Sequence, residues 1–220
     1  MIKSCIFDLD GTLLNTLVTI RHYVNETIGE LGFSSITVDE CRSFIGHGAR
    51  HLIDSTLKSK GVSDPQLLER VLNAYNAKYD ANTLYLTEPY EGIVEMVDTL
   101  FASGIRLAVL SNKPDPTTTD IVSKFFPNRF AAVHGGRAGV PLKPDPTALL
   151  STIEELGVSP DEVMYIGDTG VDVLTGLNAK VYKTVGVSWG YRPVRELRES
   201  GADAVFDTPT EIVNEVVKND

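Results

Sequence analysis

The chain has 220 residues, 42% of them hydrophobic and 23% charged, with a formal net charge of -10. Such a composition supplies a substantial core and no global basic face, which argues against a phosphate backbone as partner, and no nucleic acid is expected. No apolar run approaches the roughly 20 residues that a bilayer demands, so no membrane partner is expected and a cytoplasmic location is the default. The two cysteines, Cys5 and Cys41, form no metal-ligand pair and read as packing residues.

The opening run IKSCIFD has the length of a strand buried on both faces and ends in DLDGT, with Asp8 and Asp10 one residue apart before a glycine turn. From Leu17 the pattern becomes helical: Leu17, Ile20, Val24, Ile28 and Leu31 share one face, and Leu68, Val71, Leu72, Tyr75 and Tyr79 repeat it. Asp64-Pro65 is suited to start the second of these helices, as a side-chain cap followed by a proline in the first turn. Beyond Gly92 short apolar runs alternate with helical segments: RLAVLSN, RFAAVHG, EVMYIGD, KTVGVSWG and ADAVFD. This alternation predicts an α/β fold, a doubly wound parallel sheet formed by residues 1–15 and 84–220, with residues 16–83 inserted as an α-helical cap domain.

In such a sheet the ligand lies beyond the carboxyl ends of the strands, so the residues that end each run carry the chemistry. They are Asp8, then Ser111 with Asn112, then Asp168 with Asp172 four residues on. Lys143 in LKPDP precedes a helix that Asp145-Pro146 can begin. Converging carboxylates repel and need a cation. With oxygen donors alone, a hard ion such as Mg²⁺ suits the site, and Mg²⁺ beside Lys143 would also neutralise a phosphate. Asp8 and Asp10 start on the same side of the strand, and the Gly11 turn lets one face phosphorus and the other the leaving group. Asp8 would attack in line, Asp10 would carry the proton, and Ser111, Asn112 and Lys143 would hold the phosphoryl oxygens. Lys113, next to Ser111, could take the same anion, and Ser111 reads equally as a helix cap.

DLDGT, the serine of LSNK, the lysine of LKPDP and GDTGVD resemble, in order and over essentially the whole chain, the four motifs of the haloacid dehalogenase superfamily. FIGHGARHLI and VSWGYR are further similar to its phosphoglycolate phosphatases. The resemblance implies a Rossmann-like core and a Mg²⁺-dependent phosphatase acting on a small phosphorylated metabolite through an aspartyl-phosphate, as a monomer or homodimer. It implies metal ligation by Asp8, the backbone carbonyl of Asp10 and Asp168. Asp172 and Thr12 would play supporting parts, and Lys143 rather than Lys113 would be the phosphate lysine. It also marks His47 and Arg50 as candidate substrate contacts in the cap, where a surface turn is the plainer reading. Asn15 and Arg137 stand where acids are common in that group. Trp189 and Tyr191 read as packing residues. Two other functions use the same residues: a phosphomutase of sugar phosphates, and a non-catalytic relative that binds a phosphorylated metabolite.

Overall fold

A computed structural model of the chain describes residues 1–217. In chain order the elements are β1 (Ser4–Phe7), β2 (Leu14–Asn15), α1 (Leu17–Gly29), α2 (Val38–Phe44), α3 (Ala49–Ser59), α4 (Pro65–Ala81), β3 (Glu88–Pro89), α5 (Ile93–Ala102), β4 (Arg106–Pro114) and α6 (Asp115–Phe125). They continue as β5 (Ala132–Gly136), α7 (Thr147–Glu155), β6 (Val163–Gly167), α8 (Gly170–Ala179), β7 (Lys183–Val187), α9 (Val194–Glu199), β8 (Ala204–Phe206) and α10 (Pro209–Val217).

Six strands form one parallel sheet in the order β5-β4-β1-β6-β7-β8, the doubly wound α/β arrangement that the alternating pattern predicts. The order reverses at β1, which separates β4 from β6 although β1 comes first in the chain. Every residue of β1 and β6 is buried, which is why SCIF and VMYIG are continuous apolar runs without alternation. Ile6, Leu110, Val163 and Tyr165 of the strands pack with Leu149 and Ile153 of α7 in one buried cluster. Each fully buried aliphatic side chain there contributes on the order of 1.5–3 kcal/mol relative to exposure. Register then fixes the site: Phe7 lies opposite Val109 on one side and Ile166 on the other. Asp8, one residue beyond Phe7, and Ser111 and Asp168, two residues beyond Val109 and Ile166, therefore lie toward one edge of the sheet, beside the point of reversal.

The chain separates into two compact units, one formed by Met1–Asn15 with the chain from Pro89 onward and the other by Thr16–Glu88. The return crossing lies at Glu88/Pro89 instead of 83/84, because residues 83–87 are tied into the helical unit. Thr19 Oγ1 donates to the Tyr85 carbonyl at 2.7 Å and shares a 3.1 Å hydrogen bond with Thr87 Oγ1. In this unit Leu17, Ile20, Val24 and Ile28 of α1 are buried, as their spacing predicts, but Leu31 is 42% exposed because α1 ends at Gly29. Asp64 caps α4 by accepting from Gln66 N at 2.8 Å and Leu67 N at 3.3 Å, with Pro65 in the first turn. That leaves Val71, Leu72, Tyr75 and Tyr79 on the buried face of α4.

Candidate active site

Asp8 and Asp168 directly follow β1 and β6, Ser111 lies within β4 where its pairing with β5 loses register after Leu110, and Lys143 reaches the same point from the loop before α7. All four are buried. Lys143 Nζ donates to Asp8 Oδ1 at 2.8 Å, to Asp172 Oδ1 at 2.7 Å and to the Leu110 carbonyl at 3.2 Å. Burial by itself would lower the affinity of this amine for its proton, yet the adjoining Asp172 and Asp8 carboxylates hold the ammonium well above its ordinary value. Lys143 is thus a fixed positive charge.

The lysine is held by its backbone as well. Asn112 Oδ1 accepts from Lys143 N at 2.9 Å and Asn112 Nδ2 donates to the Lys143 carbonyl at 3.2 Å. The side chain of Asn112, read from the sequence as a phosphate contact, therefore brackets the lysine 31 residues away. Asp172 receives bonds on both oxygens. Oδ1 accepts from Lys143 and, at a long 3.4 Å, from the Tyr165 hydroxyl; Oδ2 accepts from Thr169 Oγ1 at 2.6 Å and Thr169 N at 3.1 Å. Thr169, not Asp168, is the N-cap of α8, and Asp172 completes its capping box. By contrast, Asp8 Oδ2 accepts no hydrogen bond among the described residues, so one oxygen of this carboxylate is fixed by Lys143 and the other is available.

Asp168 is fully buried and held on both sides. Oδ1 accepts from Thr12 Oγ1 at 3.2 Å and Oδ2 from Tyr191 N at 2.7 Å. A methyl group at Gly11 would lie 2.3 Å from Asp168 Oδ2, and Gly11 has φ +91°, so both space and backbone demand glycine in the turn of DLDGT. A methyl group at Gly190 would lie 2.2 Å from Asp168 Cβ. One oxygen from each of Asp8, Asp168 and Asp172 can be chosen so that all lie within 4.8 Å of one another. Burial, with repulsion from Asp172 and Asp8, holds the Asp168 carboxyl well above the usual range against the bonds from Tyr191 and Thr12. Burial likewise pushes Asp8 up to about 7, with Lys143 opposing and Asp172 and Asp10 adding to the rise.

These shifts express a shortage of positive charge: three buried carboxylates face one buried ammonium, an excess of two negative charges. A divalent cation fits that deficit and that all-oxygen donor set. Asp172 takes two donors on each oxygen, the Lys143 ammonium among them, whereas Asp168 takes one uncharged donor on each and Asp8 Oδ2 takes none among the described residues, so Asp8 and Asp168 keep more lone pairs for an ion.

The other expected residues divide. Both oxygens of Asp10 accept from Lys113 Nζ at 3.2 Å, so the competing lysine sits on the second aspartate while Lys143 sits on the first. Ser111 Oγ accepts from Lys113 N at 3.2 Å, but Ser111 is not the cap of α6, which begins at Asp115. In the helical unit, His47 is exposed with its ring 4.9 Å from that of His51, and Arg50 is exposed and makes a two-pronged ion pair with Glu69 at 2.6 and 2.9 Å. Residues that sequence reading assigned only to packing take part in the site: Trp189 Nε1 donates to the Thr12 carbonyl at 3.0 Å, and Tyr191 supplies the backbone bond to Asp168. Asn112 and Tyr191 act through a side-chain amide on a distant backbone and through a backbone N–H, neither of which leaves a residue-type signature; VSWGYR is the one local signal.

Comparison with known proteins places this geometry. The family model described as haloacid dehalogenase-like hydrolase matches residues 5–187. A phosphoglycolate phosphatase of Agrobacterium fabrum is 34% identical over 208 residues, covering 92% of this chain and 87% of the relative. One of Aquifex aeolicus is 31% identical, covering 96% and 95%. The crystal structure of a Lactobacillus delbrueckii protein provisionally assigned as a phosphoglycolate phosphatase superposes with a TM-score of 0.91 at 28% identity, covering 97% of this chain and 98% of that one. With the matched segment running from the strand before Asp8 to the end of β7, the chain belongs to the haloacid dehalogenase-like hydrolase family.

Proposed function

We propose that the protein is a Mg²⁺-dependent phosphatase that hydrolyses a small phosphate monoester of the 2-phosphoglycolate kind through an aspartyl-phosphate on Asp8. The observation that carries this reading is the asymmetry of Asp8: Lys143 fixes Oδ1 while Oδ2 accepts no bond among the described residues. The named phosphoglycolate phosphatases among the relatives support the substrate class.

The ion would be held by the Asp8 and Asp168 carboxylates with the Asp10 backbone carbonyl. Bound there, it supplies the positive charge that lets a carboxylate approach an anionic phosphate. Asp8 Oδ2 attacks phosphorus in line; the P–O bond to the alcohol breaks and the departing alkoxide takes a proton from the Asp10 carboxyl. Water then gives a proton to Asp10 and attacks phosphorus, and the Asp8–phosphorus bond breaks to release phosphate. Lys143 and Ser111 hold the phosphoryl oxygens, and the bracket from Asn112 keeps Lys143 aimed while charge redistributes. Lys113 fixes the position of the Asp10 carboxylate between the two proton transfers.

Purified protein should release phosphate from 2-phosphoglycolate in a monoester panel with Mg²⁺, and Asp8→Asn should abolish turnover. Release of no phosphate from any monoester, or full turnover by Asp8→Asn, would refute the proposal.

A further inference from the structure

We infer that the segment Trp189–Tyr191, which follows β7, is a positioning element for the divalent cation: it fixes the Asp168 carboxylate and the turn after β1 in the arrangement that receives the ion. The inference rests on the cation site proposed above and concerns residues outside the four motifs.

Three consecutive residues of this segment each touch the site differently. Trp189 donates its indole N–H to the Thr12 carbonyl at 3.0 Å, and Thr12 in turn donates its hydroxyl to Asp168 Oδ1 at 3.2 Å. Gly190 lets the backbone pass where a methyl group would lie 2.2 Å from Asp168 Cβ and 2.6 Å from the Gly11 carbonyl oxygen. Tyr191 donates its backbone N–H to Asp168 Oδ2 at 2.7 Å. An aspartate carboxylate has a broad torsional minimum about its last bond, so a lone Asp168 would sweep its oxygens through many orientations. With one donor on each oxygen it is confined to one plane, and the lone pairs that remain point in a defined direction. The same segment bonds or abuts Gly11 and Thr12, the residues immediately after Asp10. It therefore couples the two chain segments that supply the proposed ligands, although they lie 156 residues apart in sequence. Groups that orient metal ligands in this way typically govern affinity by about 10–100-fold.

The alternative is that these bonds merely satisfy buried polar groups and hold the loop. The two are separated by cation affinity against metal-free stability. Trp189→Phe removes the indole donor and retains an aromatic ring. Wild type and variant, stripped with a chelator, are titrated with Mg²⁺ by calorimetry, and their metal-free melting curves are recorded. The inference predicts that a cooperatively folded Trp189→Phe binds Mg²⁺ about tenfold more weakly. It also predicts that the Mg²⁺ concentration giving half-maximal turnover moves by the same factor. Equal Mg²⁺ affinity in the two proteins, with only the melting temperature lowered, overturns it.

Because Trp189 is the sole tryptophan, wild-type emission provides a second readout that needs no variant. The emission should change saturably with the calorimetric dissociation constant, and emission that stays flat while calorimetry records Mg²⁺ uptake overturns the inference even if Trp189→Phe fails to fold. Wild type that takes up no Mg²⁺ at all overturns the cation site along with it, whereas wild type that binds Mg²⁺ and turns over phosphoglycolate, beside a variant of equal affinity, overturns the positioning role alone.

Discussion

Asn112→Ala strands two backbone groups at once. The side chain accepts from Lys143 N at 2.9 Å and donates to the Lys143 carbonyl at 3.2 Å, both in a buried setting. A buried group left without a partner costs about 1–3 kcal/mol, so the two groups together should destabilise the fold by about 2–6 kcal/mol. For a chain of this size that lowers the melting temperature by roughly 4–24 °C. Asn112→Asp keeps an acceptor for Lys143 N and loses the donor to the carbonyl, so it should recover part of the loss. The catalytic consequence is separable. If Asn112 acts on turnover by holding Lys143, then Asn112→Ala lowers kcat in the wild-type background but lowers it no further once Lys143→Met has removed the ammonium. Steady-state rates of the four proteins, with folded fractions matched by near-ultraviolet circular dichroism, complete the double-mutant cycle. Additive losses of kcat across the cycle would refute the reasoning, because they would mean that Asn112 influences turnover by a route that does not pass through the lysine.

Three further outcomes follow from the same geometry. Asp172→Asn retains an acceptor for Lys143 but removes one charge from a buried pair; since Asp8 still faces the ammonium, the stability loss in urea unfolding should fall at or below the low end of the about 3–5 kcal/mol expected for a broken buried pair. Loss of lysine orientation should lower kcat by about a hundredfold or more, and a rate near wild type would contradict the assigned role. Gly11→Ala forces a methyl group to 2.3 Å from Asp168 Oδ2 at a φ of +91°. It should destabilise by about 1–3 kcal/mol from overpacking, with a further penalty of about 1–2 kcal/mol from the left-handed backbone. A melting temperature equal to wild type would show that the Asp168 site yields more readily than its burial implies.

The pH dependence of the metal-free protein has a defined sign. Asp8 is raised in the folded state to about 7 from 3.8, so the folded protein binds its proton more tightly than the unfolded chain does. Its contribution therefore favours folding most at low pH and is lost as pH climbs from about 4 to about 7. Glu26, Glu69 and Glu162 are lowered in the folded state and act in the opposite sense, favouring folding above their unfolded values and losing this as pH falls below about 4.5. Between about pH 5 and 7 the buried acids dominate: the melting temperature in chelator should fall, Asp8→Asn should flatten the fall, and stabilisation by Mg²⁺ should grow over the same interval. A melting temperature that rises through this window in chelator would contradict the charge deficit read from the site.

The fold was legible because parallel strands buried on both faces leave continuous apolar runs: SCIF and VMYIG announce themselves by composition alone, and the helix of Leu68 to Tyr79 by period and by Asp64-Pro65. The acids were legible for a related reason, since a doubly wound sheet brings strand ends together wherever its order reverses, and Asp8, Ser111 and Asp168 each end a run. What escaped depends on pairing between segments far apart in sequence. Nothing in LSNK says that Asn112 will grip the backbone of Lys143 or that Lys113 will lie on Asp10. Tyr191 contributes a backbone N–H, which every residue but proline possesses, so its identity carried no signal. Leu31 matched the helical period yet lies beyond the end of α1, because period alone does not say where a helix stops. The return crossing at Glu88/Pro89 depends on hydroxyl bonds between Thr19 and residues 85 and 87, which composition does not reveal.

The central claim is that Asp8 bonds covalently to phosphorus, and trapping tests it most directly. An acyl phosphate is reduced by borohydride to the alcohol, which would convert Asp8 to homoserine. Protein quenched during turnover of 2-phosphoglycolate with Mg²⁺, reduced, digested and sequenced by tandem mass spectrometry should carry homoserine at position 8, and none when Mg²⁺ or substrate is withheld. Turnover with unmodified Asp8, or with homoserine at another aspartate, would contradict the account.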